Sequence, residues 1–226
     1  MNNIDNFDSR ALRFTDAYGQ RFMRVGTYKF NIVKAGTGEF AEKYRYTIHV
    51  IDCKKGHKMK QHGLQVHNKN GEFMLEESEI TIELGDMIMW SCRQPSAPAF
   101  EVIGDQPFFS SANMENECGY AHCFTSPGDY QWVDANGSKL SGVVKVSEPN
   151  CKCQKDIMSW QKKLSKGALV MINGNKVEPP EIKIYTGQTV YFAMIKTKGI
   201  TITEKDCADG FKKVHEDIEK HVCYGK

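Results

Sequence analysis

Residues 79–90 constrain the fold more than any other stretch. Glu79-Ile80-Thr81-Ile82-Glu83-Leu84 alternates apolar and polar side chains, and Gly85-Asp86 then interrupts the run. Met87-Ile88-Met89-Trp90 follows as an apolar segment. A period of two places alternate side chains on opposite faces of a strand, so this stretch predicts strand, tight turn and buried strand. Pro95 to Pro98 reads as a loop, and Phe100-Glu101-Val102-Ile103 as a short strand. Phe124 to Trp132 gives strand, turn, strand, with Pro127-Gly128 as the break. Gly142-Val143-Val144-Lys145-Val146 alternates again. The expected class is mainly β.

Two helices are expected outside this region. Residues 153–165 place Ile157, Trp160 and Leu164 on one face, and Gly167 stops the run. Residues 205–221 place Phe211, Val214 and Ile218 on one stripe that Val222 would extend. Asp206 lies near the start of that helix and Lys220 near its end, as the helix dipole favours. Either helix would serve to cover a sheet edge.

The chain also resembles itself. Glu79-Ile-Thr-Ile-Glu-Leu-Gly85-Asp-Met-Ile-Met-Trp90 matches Glu181-Ile-Lys-Ile-Tyr-Thr-Gly187-Gln-Thr-Val-Tyr-Phe192, and Asn70-Gly71 and Asn173-Gly174 precede the two copies. Phe124, Gly128, Tyr130 and Trp132 find counterparts in Phe22, Gly26, Tyr28 and Phe30. The N-terminal stretch carries only the second pattern and the C-terminal stretch only the first. A half-sandwich alone leaves an apolar face and open edges in water. The expected division is therefore a sandwich over 64–147 and a second, discontinuous one from 10–52 and 167–204, in one chain or by swapping between two. Residues 148–166 would form a helical linker and 205–226 a C-terminal helix.

The unit 64–147 resembles the cupredoxin (plastocyanin-like) family. The matching residues are Ile80-x-Ile82-x-x-Gly85-Asp86-x-Ile88-x-Trp90, Phe124-x-x-Pro127-Gly128-x-Tyr130-x-Trp132 and Gly142-Val143-Val144-x-Val146. The resemblance implies a Greek-key β-sandwich with a metal loop at one end. A blue-copper site needs two His and a Cys, with a weak axial ligand such as Met. The family's first His falls in the segment Ser96 to Val102, which has none. Its Cys falls at Asp134, and its second His and Met near Gly137 and Leu140. In the split copy Ile32 stands where Asp134 stands. The expectation is a copper-free member with no cofactor.

Composition excludes several functions. A net charge of +2 argues against nucleic acid, and no apolar run approaches the roughly 20 residues of a membrane span. Hydrophobic residues at 40% allow a core, and charged residues at 26% suit a soluble surface. The first residues, Met-Asn-Asn-Ile-Asp-Asn-Phe-Asp, lack a basic and then apolar leader. A cytoplasmic protein with reduced thiols is expected, or a secreted one if a leader has been removed. The eight cysteines include no Cys-x-x-Cys pair, and Cys151 and Cys153 flank a single Lys.

Two clusters suggest other chemistry. Cys53, His57, Met59 and His62 crowd one stretch, with His67 just beyond, and these donors suit copper or zinc at a non-standard site. The plainer reading of 53–67 is a solvated loop. Cys118, His122 and Cys123 form the second cluster, read plainly as core residues of a strand. Phosphate loops, a nucleophile elbow and His-Glu-x-x-His are absent. Asp134, Glu101 and His122 would meet at one end of the sandwich only if the fold brings them there.

The leading expectation is therefore a non-catalytic binding or assembly module with a protein partner or a second copy. Pro95, Pro98, Phe108 and Phe109 are candidate contacts, because Phe108 and Phe109 cannot both face a core from one strand. A metal-binding or redox protein and an enzyme subunit are the alternatives.

Overall fold

The computed structural model describes residues 7–37, 43–53 and 55–207. The chain is mainly β, with one α-helix among the described residues and no closed barrel. The first half contributes β1 (Asp16–Arg21), β2 (Gly26–Lys34), β3 (Tyr46–Ile51), β4 (Gln61–Lys69), β5 (Glu72–Met74), β6 (Glu79–Glu83), β7 (Met87–Cys92) and β8 (Phe100–Gly104). The second half runs β9 (Cys118–Cys123), β10 (Gly128–Asp134), β11 (Ser141–Ser147), α1 (Gln154–Leu164), β12 (Ala168–Asn173), β13 (Lys176–Glu178), β14 (Glu181–Tyr185), β15 (Thr189–Lys196) and β16 (Ile202–Glu204). The expected helix at 153–165 is α1. The one expected at 205–221 lies largely outside the described residues, of which Lys205–Cys207 form a 3-10 turn.

The ladders divide the chain differently from the expected split. β2 and β3, within 10–52, join β8 and β6 in a four-stranded sheet of order β6-β3-β2-β8. β10 and β11 join β16 and β14 in the order β14-β11-β10-β16. The third sheet has eight strands, β13-β12-β15-β9-β1-β7-β4-β5. Apart from residues 7–9, which pair with β16, the strands of each half pair into layers of their own half and meet the other half at β1–β9, so neither the 64–147 sandwich nor the 10–52 plus 167–204 one forms. The physical reason is proximity. Each hairpin pairs with the half-sandwich that follows it directly, which keeps the closing loops short. Residues 148–166 are accordingly an insertion inside the second unit rather than a linker between units.

Packing follows the repeat closely. Phe30 on β2 meets Trp90 on β7 edge-on at 5.4 Å. At the matching positions, Trp132 on β10 meets Phe192 on β15 edge-on at 5.5 Å. The large and small rings have changed places, which conserves the volume between the layers. Tyr28 and Tyr130 each donate to a carbonyl four residues back, Arg24 O at 2.9 Å and Ser126 O at 3.0 Å. The two units fuse where β1 pairs antiparallel with β9, Tyr18 opposite Tyr120. These tyrosines occupy matching positions, so an approximate two-fold axis passes between them.

Candidate functional site

The β6–β7 turn builds a largely enclosed polar cluster in the first unit. Gly85 takes φ +90°, a left-handed conformation that suits glycine, and turns the chain so that Asp86 points back. The Asp86 carboxylate accepts from Lys60 N at 2.8 Å and from Glu83 N at 3.3 Å. It also meets His57 Nε2 and His62 Nε2, each at 2.7 Å. His57 Nδ1 faces the Glu83 carboxylate. Burial would raise the Asp86 carboxyl, but the bonds from His62, Lys60, His57 and Glu83 together hold it well below the ordinary carboxylate range. His57 is nearly enclosed at 6% side-chain exposure, whereas His62 opens to solvent at 33%.

The structure therefore joins two of the four residues singled out as metal ligands, and it joins them through a carboxylate. Both ring nitrogens of His57 face carboxylate oxygens, Nδ1 that of Glu83 and Nε2 that of Asp86. Met59 is exposed and lies over the turn, its Sδ 3.7 Å from where a Cβ on Gly85 would sit. Cys53 is exposed, with its backbone N–H on Asp52. Among the described residues no three His, Cys, Asp or Glu side chains converge as a metal site.

The second unit shows what the turn needs for folding alone. Gln188, at the position of Asp86, braces the same turn by accepting from Tyr185 N at 2.7 Å. Trp160 and Leu164 of α1 lie against Gly187, the counterpart of Gly85. Among the described residues, the Glu83–His57–Asp86–His62 chain has no counterpart in the second unit. Glu83 and Asp86 escaped sequence reading because they lie 24 to 29 positions from the histidines they hold. The one available signal was a Gly-Asp turn beside a His-rich loop.

Asp86→Asn is expected to lower stability at neutral pH by about 1–2 kcal/mol, through loss of charge-assisted bonds. An acid with a depressed folded pKa stabilises the fold above its unfolded value, near 4, and loses that contribution as pH falls through the folded value. The gap between variant and wild type in urea titrations should narrow below pH 4. A gap that does not change with pH would show that the carboxylate charge is irrelevant.

The other candidates lie apart. His122 Nδ1 donates to Asp16 Oδ1 at 2.7 Å, and His122 has no exposed surface. Cys118 is buried, and burial pushes its thiol well up, so it is a core residue rather than a nucleophile. Cys151 and Cys153 are exposed and unbridged. Phe109 is fully buried against Phe22, Phe30 and Trp90 and takes no part in any surface, whereas Phe108 is half-buried beside Tyr28. Pro95 is exposed and Pro98 partly so. Glu101 sits near the Asp8–Arg10 pair, and Asp134 holds its own loop, so neither joins His122 in a catalytic set. No described helix is long and apolar enough to cross a membrane. No protein-family model, curated protein or solved structure matches the chain.

Proposed function

We propose that the chain is a copper-free, cupredoxin-like binding or assembly module without catalysis of its own. Each unit carries both motif sets of the resemblance, the aromatic hairpin first and the Gly-turn strand pair second. On this reading the Greek key is permuted and present twice.

The observation that carries the proposal is Asp134, at the place of the family's copper-binding Cys. Its Oδ1 accepts from Asn136 N at 3.0 Å and Thr201 N at 2.8 Å, and its Oδ2 from Ser138 N at 3.3 Å. The carboxylate is spent on tying its loop to the neighbouring strand segment. The matching place in the first unit is the apolar Ile32. Neither donor set suits type 1 copper, which needs a thiolate and two imidazoles. A scaffold whose metal end has become a structural cap is left with its surfaces as the means of action.

Titration of the thiol-reduced protein with copper should give no intense thiolate-to-copper band in the visible spectrum. Native mass spectrometry of the protein from its natural source should show a stoichiometric complex, with a partner or a second copy. A blue product, or a monomer that carries metal, would overturn the proposal.

A further inference from the structure

The eight-stranded sheet has an unusual border. β4 pairs in parallel with β7 along Gln61–Val66, but with β5 only over His67–Lys69. The outer edge of Gln61–Val66 is therefore without a strand among the described residues. Six residues span roughly 20 Å. Met87 N bonds to Lys60 O, which fixes the phase of the ladder. His62, Leu64 and Val66 turn their backbone groups to β7, and Gln61, Gly63 and Gln65 turn theirs outward. Natural edges are usually shortened, bulged or guarded by Pro or an inward charge. Exposed Lys60 and Lys69 flank this edge, but Gln61–Val66 itself has no Pro, Lys or bulge, and nothing lies within 4 Å of where a Cβ on Gly63 would stand. In the second unit the corresponding strand, β12, is shorter, and only Ala168–Val170 lacks a partner.

Beside the edge the two layers part to leave a cleft of about 350 Å³. Its floor holds the half-buried Leu64, Leu75 and Ile80, and its rim Glu76 and Glu77. The Glu76 side chain is 86% exposed and has His67 at 3.8 Å.

We infer that the free edge of β4 takes an extended, basic segment of a partner protein as an added strand. Main-chain bonds to Gln61, Gly63 and Gln65 would supply affinity. An apolar side chain over Leu64, Leu75 and Ile80, and cationic ones at Glu76 and Glu77, would supply selection. This inference rests on the module reading above and names its partner class.

The probe is a fluorescein-labelled peptide of alternating Lys and Val, seven residues long, followed by anisotropy with the full-length protein. Gly63→Pro removes an outward N–H without touching a bond to β7, so the fold should persist, as thermal unfolding and circular dichroism would show. Binding in the micromolar range is expected for wild type and for Gly63→Ala, and at least about tenfold weaker binding for Gly63→Pro. A peptide N-methylated at alternate amides should be lost as well. Glu76→Lys with Glu77→Lys should weaken the Lys-Val peptide by about tenfold and favour a Glu-Val one. No binding by wild type, or equal binding by Gly63→Pro, would overturn the inference. So would a wild-type dimer that Gly63→Pro renders monomeric, since a second copy would then hold the edge. A native complex retained by Gly63→Pro would remove this edge and leave the module reading intact, whereas a blue copper product would remove that reading whatever the peptide does.

Discussion

Asp16→Ala is expected to lower the unfolding free energy by about 4 kcal/mol, a large fraction of what holds a domain of this size together. Asp16 opens β1, opposite His122 on β9. Its Oδ1 accepts from Tyr120 Oη at 2.6 Å and from His122 Nδ1 at 2.7 Å, and its Oδ2 accepts from Arg13 N at 2.8 Å. Tyr120 and His122 are fully buried, with Phe7, Phe124 and Phe192 packed around them. Truncating the carboxylate would strand a phenol, an imidazole and an amide in an apolar setting, and each such group costs about 1–3 kcal/mol. Because β1 belongs to the first unit and β9 to the second, the loss falls on the seam between them. Urea unfolding should keep a single transition with a lower midpoint and an unchanged slope. A loss below about 1 kcal/mol would mean that water had entered and replaced the carboxylate.

The period-two strands and the repeat were readable because both are local patterns. The wrong division came from the order of the motifs, not from the motifs. Gly26 and Gly128, Phe30 and Trp132, Gly85 and Gly187, and Trp90 and Phe192 are all separated by the same 102 positions. A constant offset across both motif sets is the mark of two consecutive, complete units. The cupredoxin resemblance instead drew the middle of the chain together, because there the motifs stand in the family's order. Chain connectivity prevailed, as each aromatic hairpin paired with the strands that follow it. The Phe108-Phe109 choice had a similar limit. One ring had to face inward, but Phe109 is selected by Gly104, whose missing Cβ would lie 2.2 Å from the Phe109 ring. The His57–His62 proximity was legible as a cluster. The carboxylates that occupy those imidazoles were not, since they arrive from the far side of a loop and a strand. Sequence spacing lists donors and leaves open whether another side chain has already claimed them.

Glu101→Gln should stabilise the protein by up to about 3 kcal/mol at pH 8 and leave it nearly unchanged at pH 4. Glu101 lies on β8 at the seam, where Asp8 and Arg10 form an enclosed pair at 2.7 Å and Thr203 Oγ1 donates to Asp8 at 2.8 Å. Burial first, and the Asp8 carboxylate second, push the Glu101 carboxyl up to about 7, while the Arg10 guanidinium pulls the other way without prevailing. A group that titrates near 7 when folded and near 4.5 when unfolded favours the fold in its protonated form. Its contribution is complete below the unfolded value and drains away as pH rises through the folded one, at about 1.4 kcal/mol for each pH unit between them. Gln copies the neutral carboxyl and cannot ionise. The advantage of the variant should thus grow from about pH 4.5 to 7 and then level off. Urea midpoints across that range measure it directly. A constant difference between the two proteins, or one that grows toward acid, would show that Glu101 ionises in water rather than beside Asp8.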